Sequence, residues 1–175
     1  MTTEELVKRN AAFAADRFPE HLSPIPRMKT VLITCADHRV DPAHTLGLEL
    51  GDAAVVRNAG GRITPATLQS VALMAAVVAE EGGSGGFELI ILQHTDCGLA
   101  RLAQYEDLLA GYFGIGTDEV AAKHVADPSA AVRADVELLR TNPMLPDDLR
   151  VSGLVYDVET GLAETVVPPA PLRSG

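Results

Sequence analysis

A chain of 175 residues, 47% of them apolar, is long enough to bury one sizeable core without staples, and its two cysteines are too few for a disulfide scaffold. A net charge of −10 and an isoelectric point near 4.8 repel phosphate backbones and anionic lipid, which excludes nucleic acid and membrane surfaces as partners and leaves a small diffusible substrate. The N-terminus "MTTEELVKRN" is acidic and amphipathic rather than basic then apolar, and the longest apolar run, "VALMAAVVA" at 71–79, falls far short of the roughly 20 residues of a membrane span, so a cytoplasmic chain is expected.

In chain order, Thr2 and Glu5 form a capping box for a helix to about Phe18, which "FPEHLSPIPR" then breaks with three prolines, making 1–28 a helix and an arm. Residues 29–35 are a short run of strand length whose centre is apolar and largely β-branched, the pattern of a strand covered on both faces. A second strand at 53–57 runs into the glycines of "VVRNAGG". Thr64 and Pro65 supply the cap and first-turn proline of a buried helix through about Glu81, stopped by "GGSGG" at 82–86. "FELIILQ" at 87–93 is the third buried strand. Helical patches follow Cys97, a clear helix runs from Asp127 and Pro128 to about Arg140, and "LRVSGLVYDVETGLAETVV" reads as a last strand with a hairpin partner turning at 159–161. Residues 168–175 read as a loose tail. The expected fold is a single α/β domain over 1–175, a mostly parallel central sheet flanked by helices with an antiparallel C-terminal edge strand.

Open parallel sheets bind ligands beyond the carboxyl ends of their strands. Cys35 ends the first strand, His94 ends the third, and Cys97 follows the imidazole by one tight turn. Thiolates with imidazole select zinc, and three such ligands with an open fourth position describe a catalytic rather than a structural site. Taken singly, a strand-end cysteine is a small core residue and an HxxC is common by chance; their conjunction with Asp37 and Arg39 is what favours a metal. A phosphatase-like thiol would want arginine where Asp41 stands, and a dithiol redox site would want a CxxC that is absent. A closed zinc site with Asp37, His38 or His44 as fourth ligand is the remaining alternative.

Two thiolates weaken zinc as a Lewis acid, so its water ionises above the value near 7 of an all-imidazole site and needs assistance. Asp37, when ionised, only accepts hydrogen bonds and can hold the proton of a zinc-bound hydroxide, while Arg39 can grip that carboxylate in a fork and keep it off the metal. His38 and His44 are candidate proton shuttles, and His21 and His124 are surface residues.

Cys35-Ala36-Asp37-His38-Arg39 followed by His94-Thr95-Asp96-Cys97-Gly98 resembles the β-class carbonic anhydrases, as do Asp41, Pro42 and "VVRNAGG" at 55–61; the likeness spans roughly 29–101. It implies one Zn²⁺ per chain on Cys35, His94 and Cys97, with Asp37 able to become a fourth ligand in a closed state, an Asp37–Arg39 catalytic dyad, and a homodimer with sites near its interface. The implied reaction is reversible hydration of CO₂ to bicarbonate and a proton. Asn58, Ala59, Gly60, Gly61 and Gly98 are candidate pocket residues. The chain departs from the family in having Leu99 where a small residue is usual, and it lacks the tryptophan of a regulatory bicarbonate pocket. Hydrolases of carbon disulfide and carbonyl sulfide resemble the same scaffold, which supplies a second function, and a zinc-stabilised module without turnover is a third. Asp41, His38, His44 and Arg57 near the motifs, against Leu99 alone on the apolar side, favour CO₂.

Overall fold

The structure, a computed structural model, describes residues 2–83 and 85–173. The first helix, α1 (Thr3–Asp16), is capped by the Thr2 hydroxyl, which accepts the Glu5 N–H. There follow β1 (Thr30–Cys35), α2 (Pro42–Thr45), β2 (Ala53–Asn58), α3 (Pro65–Glu80), β3 (Glu88–His94), α4 (Glu106–Phe113), α5 (Pro128–Thr141), β4 (Arg150–Tyr156) and β5 (Ala163–Pro171). Single 3-10 turns at His38–Val40, Ala59–Gly61 and Gly98–Leu102 stand close behind β1, β2 and β3, so three tight turns converge at one end of the sheet.

The sheet has the order β2-β1-β3-β4-β5, parallel from β2 to β4, with β5 antiparallel on the edge. The fold is therefore the expected single α/β domain. Register sets the functional end: Cys35 pairs with Asn58, Thr34 with Leu92, and His94 with Tyr156. One sheet face packs Ile33, Leu89, Ile91 and Val151 against Val132, Val136 and Leu139 of α5, each large side chain contributing about 1.5–3 kcal/mol of apolar burial. That helix lies so close to β4 that a Cβ on Gly153 would come within 2.2 Å of Val132 Cγ1, which is why a glycine interrupts the strand. A smaller cluster of Leu99, Leu109, Phe113 and Val120 supports the turn after β3.

Two expectations change. The helix at 71–79 is not a buried one: α3 buries only Thr67 and Val71, while Leu73 and Val77 are 62% and 50% exposed. Its apolar residues surround the whole helix, and the sheet can cover only one stripe of them. Residues 168–172 are not a loose tail. They continue β5 and its flank, where Leu172 is 1% exposed and its N–H donates to the Leu149 carbonyl at 2.7 Å. Pro168, Pro169 and Pro171 disguised the strand, and they are tolerated because an edge strand can leave N–H positions unpaired. Ser174, Gly175, Met1 and the Ser84 of the glycine-rich stop lie outside the described residues. Among the described residues no helix is long and apolar enough to cross a membrane.

Candidate metal centre and active site

Cys35, His94 and Cys97 come together at the carboxyl ends of β1 and β3, with one ligand atom from each lying within 4.8 Å of the others. The two sulfurs are 3.9 Å apart. His94 is 1% exposed, and its Nδ1 lies 2.8 Å from the Thr95 carbonyl oxygen. A carbonyl only accepts, so Nδ1 carries the proton and Nε2 presents its lone pair. That Nε2 is buried with no hydrogen-bond partner, a costly state in a protein interior unless an electrophile meets it. Two sulfurs and an orphaned imidazole nitrogen at this spacing fit a tetrahedral, thiophilic cation with one position left over.

The cluster's electrostatics agree. The Cys35 thiol is pushed down to about 4, chiefly because Cys97 donates to its sulfur, helped by His94 and by the backbone N–H groups of Asp37 and Gly60 at 3.4 and 3.3 Å. Cys97 is correspondingly raised by its contact with the Cys35 thiolate and by burial. Burial presses His94 toward its neutral form, but contact with Cys35 raises it overall. Negative charge thus gathers where a cation would sit.

The β2 turn holds this arrangement by close approach. Gly61 has φ +62°, and a Cβ there would lie 2.8 Å from both the Cys35 nitrogen and the Thr34 carbonyl carbon. Arg57 ties the loop behind Cys35 with three bonds: Nε to the Cys35 carbonyl at 3.0 Å, Nη2 to the Asp37 carbonyl at 2.7 Å, and Nη1 to Asp41 at 2.8 Å. Arg57 and Asp41 are therefore occupied in shaping the loop.

Asp37 lies outside the three-ligand group. Its carboxylate sits in the Arg39 fork, Nε to Oδ1 at 3.1 Å and Nη2 to Oδ2 at 2.7 Å, and Oδ1 also accepts the Arg39 N–H at 2.9 Å. These bonds hold the Asp37 carboxyl well below the usual carboxylate range. The fourth-ligand arrangement would require this fork to open. His38 and His44 stand in solvent, 94% and 87% exposed at the side chain, and His21 and His124 are exposed as well.

A cavity of about 240 Å³ adjoins the cluster, lined by Gly60, Arg62, Gln93, His94, Cys97 and Leu99 among others. Of the candidate pocket residues only Gly60 lines it. Asn58 is used up inside its own turn, donating to the Arg62 carbonyl at 2.7 Å and to Thr67 at 2.8 Å while accepting the Arg62 N–H. The Ala59 carbonyl accepts the Tyr112 hydroxyl at 2.7 Å, and neither Gly61 nor Gly98 reaches the cavity wall, which resumes at Leu99. Sequence reasoning missed the buried pair beneath it: Arg62 Nε and Nη2 bond Asp135 at 2.7 and 3.1 Å, and the ring of Phe113 lies 5.0 Å from the guanidinium. An aspartate inside the apolar stripe of α5, between Val132 and Val136, was the available signal. It also missed Asp96, which bonds Arg39 and Arg101.

An α/β sheet carrying a Cys/His/Cys group and an arginine-clamped aspartate at its carboxyl end defines a class of small metal-site enzymes. Residues 30–163 match the family model described as carbonic anhydrase, and the chain belongs to the β-class carbonic anhydrase family. It is 32% identical over 154 residues to the carbon disulfide hydrolase of Acidianus sp. (strain A1-3), covering 74% of this chain and 72% of that protein. It is 27% identical over 168 residues to β-carbonic anhydrase 1 of Mycobacterium bovis, covering 95% and 98%. The solved structure of the carbonic anhydrase from Streptococcus mutans superposes with a TM-score of 0.72 at 32% identity, covering 95% of this chain and 98% of that one.

Proposed function

We propose that the protein catalyses reversible hydration of CO₂ to bicarbonate and a proton, with Cys35, His94 and Cys97 holding Zn²⁺, Asp37 and Arg39 as the catalytic dyad, and two copies forming the working unit. The observation that carries this reading is the Arg39 fork on Asp37 beside the three ligands. A structural metal site has no use for a carboxylate clamped next to it. When bound, zinc would supply Lewis acidity that lowers the pKa of a coordinated water.

The chain's own residues account for the rest. Asp37 Oδ1 accepts the Arg39 N–H at 2.9 Å and Nε at 3.1 Å, and Oδ2 accepts Nη2 at 2.7 Å and shares the same Nε proton at 3.2 Å, so Arg39 holds the carboxylate ionised and in place as an acceptor. An O–H of the attacking water donated to the Asp37 carboxylate turns that water's own lone pair toward the substrate carbon. The carbon gains a C–O bond, one C=O pair moves onto oxygen, and the water's second proton leaves as the counterpart of bicarbonate. The rim of Arg39, Asp96 and Arg101 is open to solvent, a polar outlet that suits release of an anion and a proton.

Hydrolysis of carbon disulfide or carbonyl sulfide is the second reading, favoured by the 32% identical relative that bears the first of those activities in its name and by the apolar Leu99 beside the ligands. The dyad is tested by Asp37→Asn in zinc-replete protein. The variant is expected to keep its zinc and lose most CO₂ hydration in stopped flow; an unimpaired rate contradicts the role given to Asp37.

A further inference from the structure

Arg39 is gripped from both sides. Its Nε and Nη2 edge forks Asp37, while Nη1 donates to Asp96 Oδ2 at 2.8 Å and Nη2 donates to the Asp96 carbonyl at 2.9 Å. Asp96 is in turn held by Arg101, whose Nη2 donates to Oδ1 at 3.0 Å. The result is a chain of alternating charge, Asp37–Arg39–Asp96–Arg101, which ties the loop carrying Cys35 to the turn carrying His94 and Cys97.

The backbone points the same way. Asp96 has φ +51°, a left-handed conformation that a side-chain-bearing residue adopts at a cost and that aspartate and asparagine tolerate best. In this conformation its carbonyl and its carboxylate reach the same guanidinium. A free guanidinium on a half-exposed arginine would sample several rotamers, and a fork with one aspartate leaves it hinged about that single contact. The second pair of contacts removes the hinge.

We propose that Asp96 is a positioning residue for the dyad: it locks Arg39 in one orientation so that the forked Asp37 carboxylate is held in one orientation too, and Arg101 steadies Asp96 from behind. The proposal rests on the dyad reading above, and its test is built to be separable from it. Asp96→Gly keeps the left-handed backbone and the carbonyl while removing the carboxylate; Asp96→Asn keeps shape and one acceptor and guards against a folding artefact. In nitrogen-15 spectra of the protein's arginine side chains, wild-type Arg39 is expected to show separate, slowly exchanging Nη signals that merge in Asp96→Gly and sharpen partly again in Asp96→Asn. With zinc content unchanged, kcat for CO₂ hydration should fall about 10-fold in Asp96→Gly, with KM held within about twofold and Asp96→Asn intermediate. In an Arg39→Gln background the Asp96→Gly change should add nothing. Three results overturn the proposal: unchanged Arg39 signals in Asp96→Gly, an equal loss of activity with and without Arg39, or loss of zinc from Asp96→Asn. If the wild type fails to hydrate CO₂, the functional reading falls while the Arg39 signals still decide the role of Asp96.

Discussion

At the scale of single residues, the ligand set and the dyad make separable demands. Replacing Cys35 by serine removes a thiolate from a group of three, and elemental analysis of purified protein should find about one zinc per wild-type chain and far less in Cys35→Ser. Asp37 supplies a pH argument. Its folded-state pKa is depressed, so its stabilising contribution is fully present above the unfolded value near 3.9 and is lost as pH falls below it. Asp37→Asn should therefore flatten the loss of stability below about pH 4 in metal-free protein, measured as denaturant midpoint against pH, while costing stability at pH 7. A variant whose acid limb parallels the wild type's would show that the fork stabilises nothing.

At the scale of elements, the turns behind β1, β2 and β3 matter more than the strands. Gly61→Ala would press a Cβ onto backbone atoms of Thr34 and Cys35, with no flexible side chain to yield. A cost of about 1–3 kcal/mol with weakened zinc retention is expected from thermal melts and metal analysis. The ion pair of Arg62 with Asp135 is 2% and 0% exposed at the side chains, so Asp135→Ala strands a buried guanidinium and should cost about 3–5 kcal/mol in urea unfolding. The motifs were legible because each is a short run at the end of a strand whose apolar pattern is unambiguous. The bracing was not. Arg39 meets Asp96 across 57 residues and Arg62 meets Asp135 across 73, distances over which the order of residues carries no sign of contact. The β5 prolines misled for a related reason, since only the edge position of that strand, a property of the whole sheet, makes them acceptable.

At the scale of the whole molecule, one part of the chain has little hold on the rest. No residue of α1 is buried, and Leu6, Val7, Phe18 and Leu22 are exposed along with Leu73 and Val77 of α3. That much open apolar surface fits the proposed pairing of two copies. Leu73→Glu with Val77→Glu should shift light-scattering mass toward that of one chain, and unaltered mass would place the interface elsewhere. The substrate is the claim on which the account turns. Zinc-loaded wild-type enzyme, assayed side by side for CO₂ hydration in stopped flow and for sulfide release from carbon disulfide and carbonyl sulfide, is predicted to accelerate the first far above the buffer rate and the others little. Efficient sulfide release with CO₂ hydration at the buffer rate would contradict it.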